Sequence, residues 1–261
     1  MHRAPQTLFS AITSPQNEVV FPAGKKRREL LAANDRQIKE FAARGADGIN
    51  SAYTWLDFGI DGGQTPPFRN TFKRVLPEGT KMREHIEEML DSRKGKAVGI
   101  EFGGVGASAF GEFSKGFFLQ SAGVSLVDYR KDETRAEDLE RNHSVVVGDV
   151  LSYSLYDDIE VWLRGRKVDL IIERMAKGLT LMPNEPYALS RILQIWYSLL
   201  RVNGIMLVQV PISLNDFLGP WTAMLEQSYR EVIEFSSAVG ISNKGCHQDH
   251  SVFRLRKLRG A

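Results

Sequence analysis

From about residue 97 onward, short unbroken apolar runs alternate with longer segments of helical periodicity, and each run stops at a glycine, an acid or a proline. Residues 97–102 (AVGIEF) lead into closely spaced glycines, and residues 123–127 (GVSLV) are closed by Asp128. Residues 144–147 (SVVV) are closed by Gly148-Asp149, residues 168–172 (VDLII) by Glu173, and residues 205–210 (IMLVQV) by Pro211. Runs this short, continuous rather than alternating, predict strands buried on both faces of a parallel sheet. The clearest helical pattern covers residues 185–202, with Leu189, Ile192, Leu193, Trp196, Leu199 and Leu200 on one side and Asn203-Gly204 as its expected stop. Strand and helix in alternation, with helices on both faces, predict a doubly wound α/β sheet.

The alternation changes after the fifth strand. A helix over about 220–229 is followed by two strand-like runs, 232–238 and 251–258, with only about a dozen residues between them. That is too short for a helical crossover, so the last two strands should pair antiparallel. The expected fold is α/β: a doubly wound, mostly parallel seven-stranded sheet with a terminal antiparallel hairpin, plus a mainly helical N-terminal extension. Residues 1–80 form that extension and 81–261 the sheet domain. Within the extension, residues 25–44 read as a helix ended by Gly45, with Leu30, Leu31, Ile38 and Phe41 as its apolar stripe. Residues 53–74 are rich in aromatics, glycine and proline and read as a loop. Its rings Tyr53, Trp55, Phe58 and Phe68 suit packing against the sheet better than a lid over a site. A further helix is expected over 81–92, with Met82, Ile86, Met89 and Leu90 on one face.

Composition excludes several classes. The single cysteine, Cys246, rules out an internal disulfide and any multi-cysteine zinc site. A net charge of +2 is too small to demand a polyanionic partner. Two basic runs, Lys25-Lys26-Arg27-Arg28 and the C-terminal Arg254, Arg256, Lys257 and Arg259, permit a nucleic-acid acceptor and read more simply as solvated faces. No apolar stretch reaches the ~20 residues of a membrane-spanning helix, and the first residues lack the apolar core of a signal peptide. A cytoplasmic protein is the expectation, with no membrane partner.

Ligands of open α/β sheets bind at the carboxyl ends of the strands, where strand order reverses. The turn Glu101-Phe102-Gly103-Gly104-Val105-Gly106 follows the first strand and would let backbone N–H groups approach a ligand closely. Asp128 closes the second strand, where a carboxylate can accept two ribose hydroxyls, and Asp149 follows the third. With the helix, tight turn and strand of RILQIWYSLLRVNGIMLVQVP and the closing hairpin, residues 81–258 resemble the class I S-adenosylmethionine-dependent methyltransferases. The resemblance implies a seven-stranded sheet whose last strand is inserted antiparallel, and S-adenosylmethionine as cofactor. It further implies that Glu101, Gly103, Gly104 and Gly106 surround the methionine end, that Asp128 holds the ribose, and that Asp149 with Val150 flanks the adenine. The sequence departs from the family in two places. The usual acid-x-Gly-x-Gly turn would put glycine at Val105, and the fourth strand ends in Glu173-Arg174-Met175-Ala176 rather than the Asn/Asp-Pro-Pro-Tyr of enzymes that methylate planar amines.

Other readings stay open at this point. Gly104-Val105-Gly106-Ala107-Ser108-Ala109 matches G-x-G-x-x-G/A, with Asp128 about 20 residues on, as in an NAD(P)-dependent oxidoreductase. No Tyr-x-x-x-Lys constellation follows the fourth strand. A methyltransferase-like fold serving as a binding or scaffold module is the third reading. Glu173 is the candidate catalytic base, with an active-site role and a structural ion pair equally open to it. His143, expected to be exposed just before the third strand, stands well behind. The acceptor pocket should be shaped by residues 176–186 and the extension. Cys246, His247 and His250 are metal-capable but lie in a short loop, and no metal site is expected there.

Overall fold

The computed structural model describes residues 72–125, 128, 130, 132–148, 150, 152–173, 186–239 and 250–259. The expected helix over 25–44, the aromatic loop up to residue 71, Asp149, the segment 176–185 and Cys246 to Asp249 lie outside the described residues. The order of elements is α1 (Met82–Met89), a 3₁₀ turn (Asp91–Arg93), β1 (Ala97–Phe102), α2 (Ala107–Gly111), β2 (Phe118–Ser125), α3 (Asp132–Glu140) and β3 (His143–Val147). Then follow α4 (Tyr153–Leu163), β4 (Val168–Glu173), α5 (Pro186–Leu199), β5 (Leu200–Pro211), a 3₁₀ turn (Ile212–Leu214), α6 (Asn215–Ser228), β6 (Val232–Val239) and β7 (His250–Leu258).

The strands form one sheet in the order β3-β2-β1-β4-β5-β7-β6. The first five are mutually parallel, and β7 is inserted antiparallel between β5 and β6. This is the mostly parallel seven-stranded sheet with a terminal antiparallel pair that the sequence predicted. Strands β1 and β4 are buried along their whole length, which is why their sequences are mostly apolar and do not alternate. One face carries α4, α5 and α6, whose Ile159, Leu193, Trp196, Trp221 and Leu225 pack on Val98, Ile100, Phe102, Met206 and Val208. The other carries α1 and α2, whose Ile86, Ala109 and Phe110 pack on Leu170, Ile172 and Leu207. Phe72 and Val75 are buried in that second cluster, ahead of α1.

Three boundaries differ from expectation, each for a local reason. β2 begins at Phe118 rather than 123, because the polar Gln120 and Ser121 hid its first half within a strand that pairs Phe118 with Ala97. The helix expected to run to residue 202 stops at Leu199. Leu200 already pairs with Val168, while Ile205 pairs with Leu170. Residues 201–204 therefore bulge out of β5, with Asn203 left-handed at φ 67°. Asn203-Gly204 is a strand bulge, not a helix stop. α6 starts at Asn215, five residues before the Pro220 taken as its opening, so this proline lies inside the helix.

The β5 bulge belongs to a polar knot at the amino edge of the sheet. The Asp169 carboxylate, 2% exposed, accepts from the Val98 N–H at 2.9 Å and from Arg93 Nε at 3.0 Å. Arg201, displaced by the bulge, reaches it at 3.7 Å. A buried carboxylate must be matched by donors in this way, and here it ties the starts of β1, β4 and β5 together.

Candidate functional site

Strand order reverses between β1 and β4, so the crevice lies outside their carboxyl ends. Register pairs Phe102 with Glu173 and Glu101 with Ile172. Glu101 and Glu173 are both buried, at 3% and 0% exposure. Since paired residues of a parallel ladder share a face, the two carboxylates end on opposite sides of the sheet. Glu173 stands beside Phe102, whose ring stacks on Trp196 of α5 at 4.2 Å. Glu101 stands on the α1/α2 side.

After Phe102 the chain turns sharply across β2. Gly103 and Gly106 take φ of 90° and 70°, values that glycine adopts without steric penalty. The Gly103 N–H donates to the Val124 carbonyl at 2.9 Å, and Gly104 bridges to Val124. This close approach is possible because β2 has Gly123 beneath the turn. A Cβ there would lie 2.1 Å from the carbonyl carbon and oxygen of Val105. Residues 103–107 are consequently buried, and Gly106 leads into α2, which is only five residues long.

A histidine locks the turn from below. His143, the first residue of β3, is 3% exposed, correcting the expectation of an exposed side chain. Its Nε2 donates to the Val105 carbonyl at 2.8 Å, and its Nδ1 lies 2.8 Å from Ser121 Oγ. A carbonyl only accepts, so Nε2 carries the hydrogen, and in the neutral ring Nδ1 accepts from the serine hydroxyl. Periodicity hid this residue, because a polar side chain just before an apolar run reads as a loop. Gly123 was legible in principle: a glycine inside a strand marks a close backbone approach.

Asp128 lies three residues beyond the end of β2 and is gripped by an arginine that sequence reading passed over. Arg130 Nη2 meets Oδ2 at 2.9 Å and Nε meets Oδ1 at 3.0 Å, while the Arg130 N–H donates to Oδ1 at 3.2 Å. Arg130 Nη1 is held in turn by Asp138 of α3 at 2.7 Å, and Arg135 approaches Asp128 Oδ2 at 3.6 Å. Burial alone would raise the Asp128 carboxyl, but the hydrogen bonds and charge of Arg130 outweigh it and hold the group below its ordinary value. Asp128 is thus an oriented, ionised carboxylate; its Oδ1 already accepts two Arg130 hydrogens, while Oδ2, which accepts one, keeps a further lone pair for a hydroxyl donor. Val150, 8% exposed, packs in the α4/α5/α6 core, and its carbonyl accepts from Tyr156 Oη at 2.8 Å.

The structure therefore gathers Glu101, the glycine turn, Asp128, Val150 and Glu173 along one carboxyl edge, from β3 to β4. No group of three or more metal-capable side chains converges among the described residues. Among them, too, no helix is long and apolar enough to cross a membrane.

Neither a protein-family profile nor a curated protein sequence matches this chain. Solved structures with similar chain paths include an rRNA methylase from Streptococcus thermophilus, at 12% identity and a TM-score of 0.44, covering 70% of this chain and 100% of that one. A precorrin-6y C5,15-methyltransferase from Geobacter metallireducens is 13% identical with a TM-score of 0.39, over 77% of this chain and 98% of its own. The MycE methyltransferase of mycinamycin biosynthesis, solved with Mg and SAH, is 16% identical with a TM-score of 0.42, over 76% of this chain and 56% of its own.

Proposed function

We propose that the protein is a methyltransferase that uses S-adenosylmethionine. The observation that carries this reading is topological. A sheet ordered β3-β2-β1-β4-β5-β7-β6, with only β7 antiparallel, has a glycine turn after β1 and an oriented acid after β2. The donor set suits the cofactor. Turn residues without side chains leave room for its methionine end, and Glu101 offers a carboxylate for its ammonium group. Asp128 accepts from a ribose hydroxyl at Oδ2, and Val150, with Asp149 next to it in sequence, flanks the adenine.

When bound, the cofactor supplies an electrophilic methyl group on a sulfonium, and that charge provides most of the reactivity. The chain's own task is alignment and exclusion of water. The His143–Val105 bond fixes the turn, so a ligand meets a preformed surface. Arg130, braced by Asp138, holds the Asp128 carboxylate in one orientation before the ribose arrives. Glu173, at the carboxyl end of β4, is the group placed to take a proton from an acceptor that must lose one. The acceptor is delimited by position rather than chemistry: it approaches the carboxyl ends of β4 and β5.

The oxidoreductase reading fits the structure less well. A dinucleotide fingerprint seats its pyrophosphate on the N-terminus of a full helix, and α2 has five residues. Asp128→Ala tests the preferred reading. It should weaken S-adenosylhomocysteine binding by roughly tenfold or more, the loss of charge-assisted hydrogen bonds worth ~1.5–3 kcal/mol. Unchanged affinity would remove Asp128 from the site.

A further inference from the structure

Asp128 is a crowded carboxylate. An ionised carboxylate has about four lone pairs, two on each oxygen. The two hydroxyls of a ribose can donate to the two oxygens of one carboxylate only if each oxygen has a lone pair left. Oδ1 of Asp128 accepts the Arg130 backbone N–H at 3.2 Å and Arg130 Nε at 3.0 Å, which fills it. Oδ2 accepts Arg130 Nη2 at 2.9 Å and keeps one lone pair. Arg135 Nε stands 3.6 Å from Oδ2, outside hydrogen-bond reach, and leaves that lone pair open.

Arg130 does not step aside for a ligand at small cost. Its side chain is 9% exposed, and Nη1 is held at 2.7 Å by Asp138, itself 6% exposed. Withdrawing the fork from Asp128 would strip a buried guanidinium of one of its two carboxylates, and a buried charge needs its partners. One of the three bonds to Asp128 also comes from the Arg130 backbone, so rotating the side chain alone would not empty Oδ1. The crowding is therefore built into the link between β2 and α3, present before any ligand arrives.

We propose that Arg130 restricts Asp128 to a single ribose hydroxyl, so that the crevice takes adenosine-type ligands whether or not they carry the other one. The inference rests on the methyltransferase reading, because it presupposes a nucleoside lying against Asp128. The hydroxyl that meets Oδ2 makes a charge-assisted hydrogen bond, whereas its neighbour finds no acceptor on this carboxylate. Selection at the ribose is then one-sided. A ligand lacking the first hydroxyl leaves Oδ2 without its donor, and a ligand lacking the second leaves nothing on Asp128 unpaired. Arg130 is the residue that sets this specificity, acting through Asp128 rather than by touching the ligand.

Calorimetric titration of the full chain with S-adenosylhomocysteine and with its 2′-deoxy and 3′-deoxy forms tests the proposal. One deoxy form should bind roughly tenfold or more weakly than the parent, and the other within about threefold of it. In Asp128→Ala the three ligands should bind alike. The paired variant Arg130→Gln, Asp138→Asn removes the fork without leaving Asp138 as a buried carboxylate lacking its cation. Oδ1 then regains a lone pair, and the deoxy form that the wild type tolerates should fall roughly tenfold below the parent as well. Partial unfolding would weaken all three ligands together and would not reorder them, and circular dichroism checks the fold. If the pair does not fold, Arg130→Lys serves, since an ammonium meets Asp128 as a point rather than a fork. The proposal is overturned if both deoxy forms lose affinity alike in the wild type, or if neither does. It is equally overturned if Asp128→Ala keeps the discrimination, or if the tolerated form stays tolerated once Arg130 is replaced. Failure of all three ligands to bind the wild type would refute the methyltransferase reading itself, and the proposal with it.

Discussion

Gly123 sits where two backbone segments touch. Any side chain at this position would push into the Val105 carbonyl, which is backbone and cannot swing aside. Gly123→Ala should therefore displace the glycine turn as well as destabilise the fold, by about 1–3 kcal/mol as in other overpacked sites. S-adenosylhomocysteine affinity should fall with it. Gly111, at the end of α2, is the matched control, because a Cβ there meets nothing within 4 Å. Gly111→Ala should be neutral or stabilising by up to ~1 kcal/mol. Paired thermal unfolding and ligand titration of the two variants check this. Equal behaviour would mean that the contact with Val105 does not position the turn.

Among the elements, α5 matters most to the site, because its Trp196 stacks on Phe102, the last residue of β1. Trp196→Ala should cost about 3–5 kcal/mol, the usual range for removing a large buried aromatic. Trp196→Phe should cost much less, since the indole Nε1 has no hydrogen-bond partner among the described residues. Chemical denaturation of both variants measures the difference. If Phe proves as costly as Ala, the indole N–H has a role that this contact does not explain.

Elements were legible in the sequence wherever one force dominated. β1 and β4 were found to within a residue because burial on both faces keeps their pattern from alternating. The first half of β2 was missed because Ser121 is satisfied by a histidine 22 residues away, a pairing that no local pattern contains. The β5 bulge was missed for a similar reason. Asn-Gly after a helix usually stops it, and here the stop comes earlier because Leu200 finds Val168. In the candidate site, Glu101, the glycines and Asp128 were readable from their places at strand ends. Arg130 and His143 were not, since each acts through a contact that only the folded chain creates.

At the scale of the whole molecule, the α1/α2 face of the sheet answers to pH through a buried histidine. On the α1/α2 face His85, 3% exposed, accepts at Nε2 from Arg254 Nη1 at 3.3 Å, and Arg254 also pairs with Glu234. Burial first, then the Arg254 charge, pushes His85 below its ordinary value of 6.5, while Glu88 and Glu234 pull the other way. The unfolded chain therefore takes up this proton at a higher pH than the folded one. Stability from the neutral ring is present above about pH 6.5 and is lost as the pH falls below it. Melting temperatures taken between about pH 7 and pH 5 should decline more steeply for the wild type than for His85→Gln, which can still accept from Arg254. Parallel slopes would show that folding leaves the proton affinity of His85 unchanged.

The proposed cofactor is an adenosine-bearing sulfonium, assigned to the carboxyl edge between the glycine turn and Asp128. Calorimetric titration of the full chain with S-adenosylhomocysteine, and separately with NAD and NADP, decides whether such a ligand belongs there. Saturable binding of S-adenosylhomocysteine is expected, and none of either dinucleotide. Binding of a dinucleotide without S-adenosylhomocysteine, or of none of the three, would refute the methyltransferase reading.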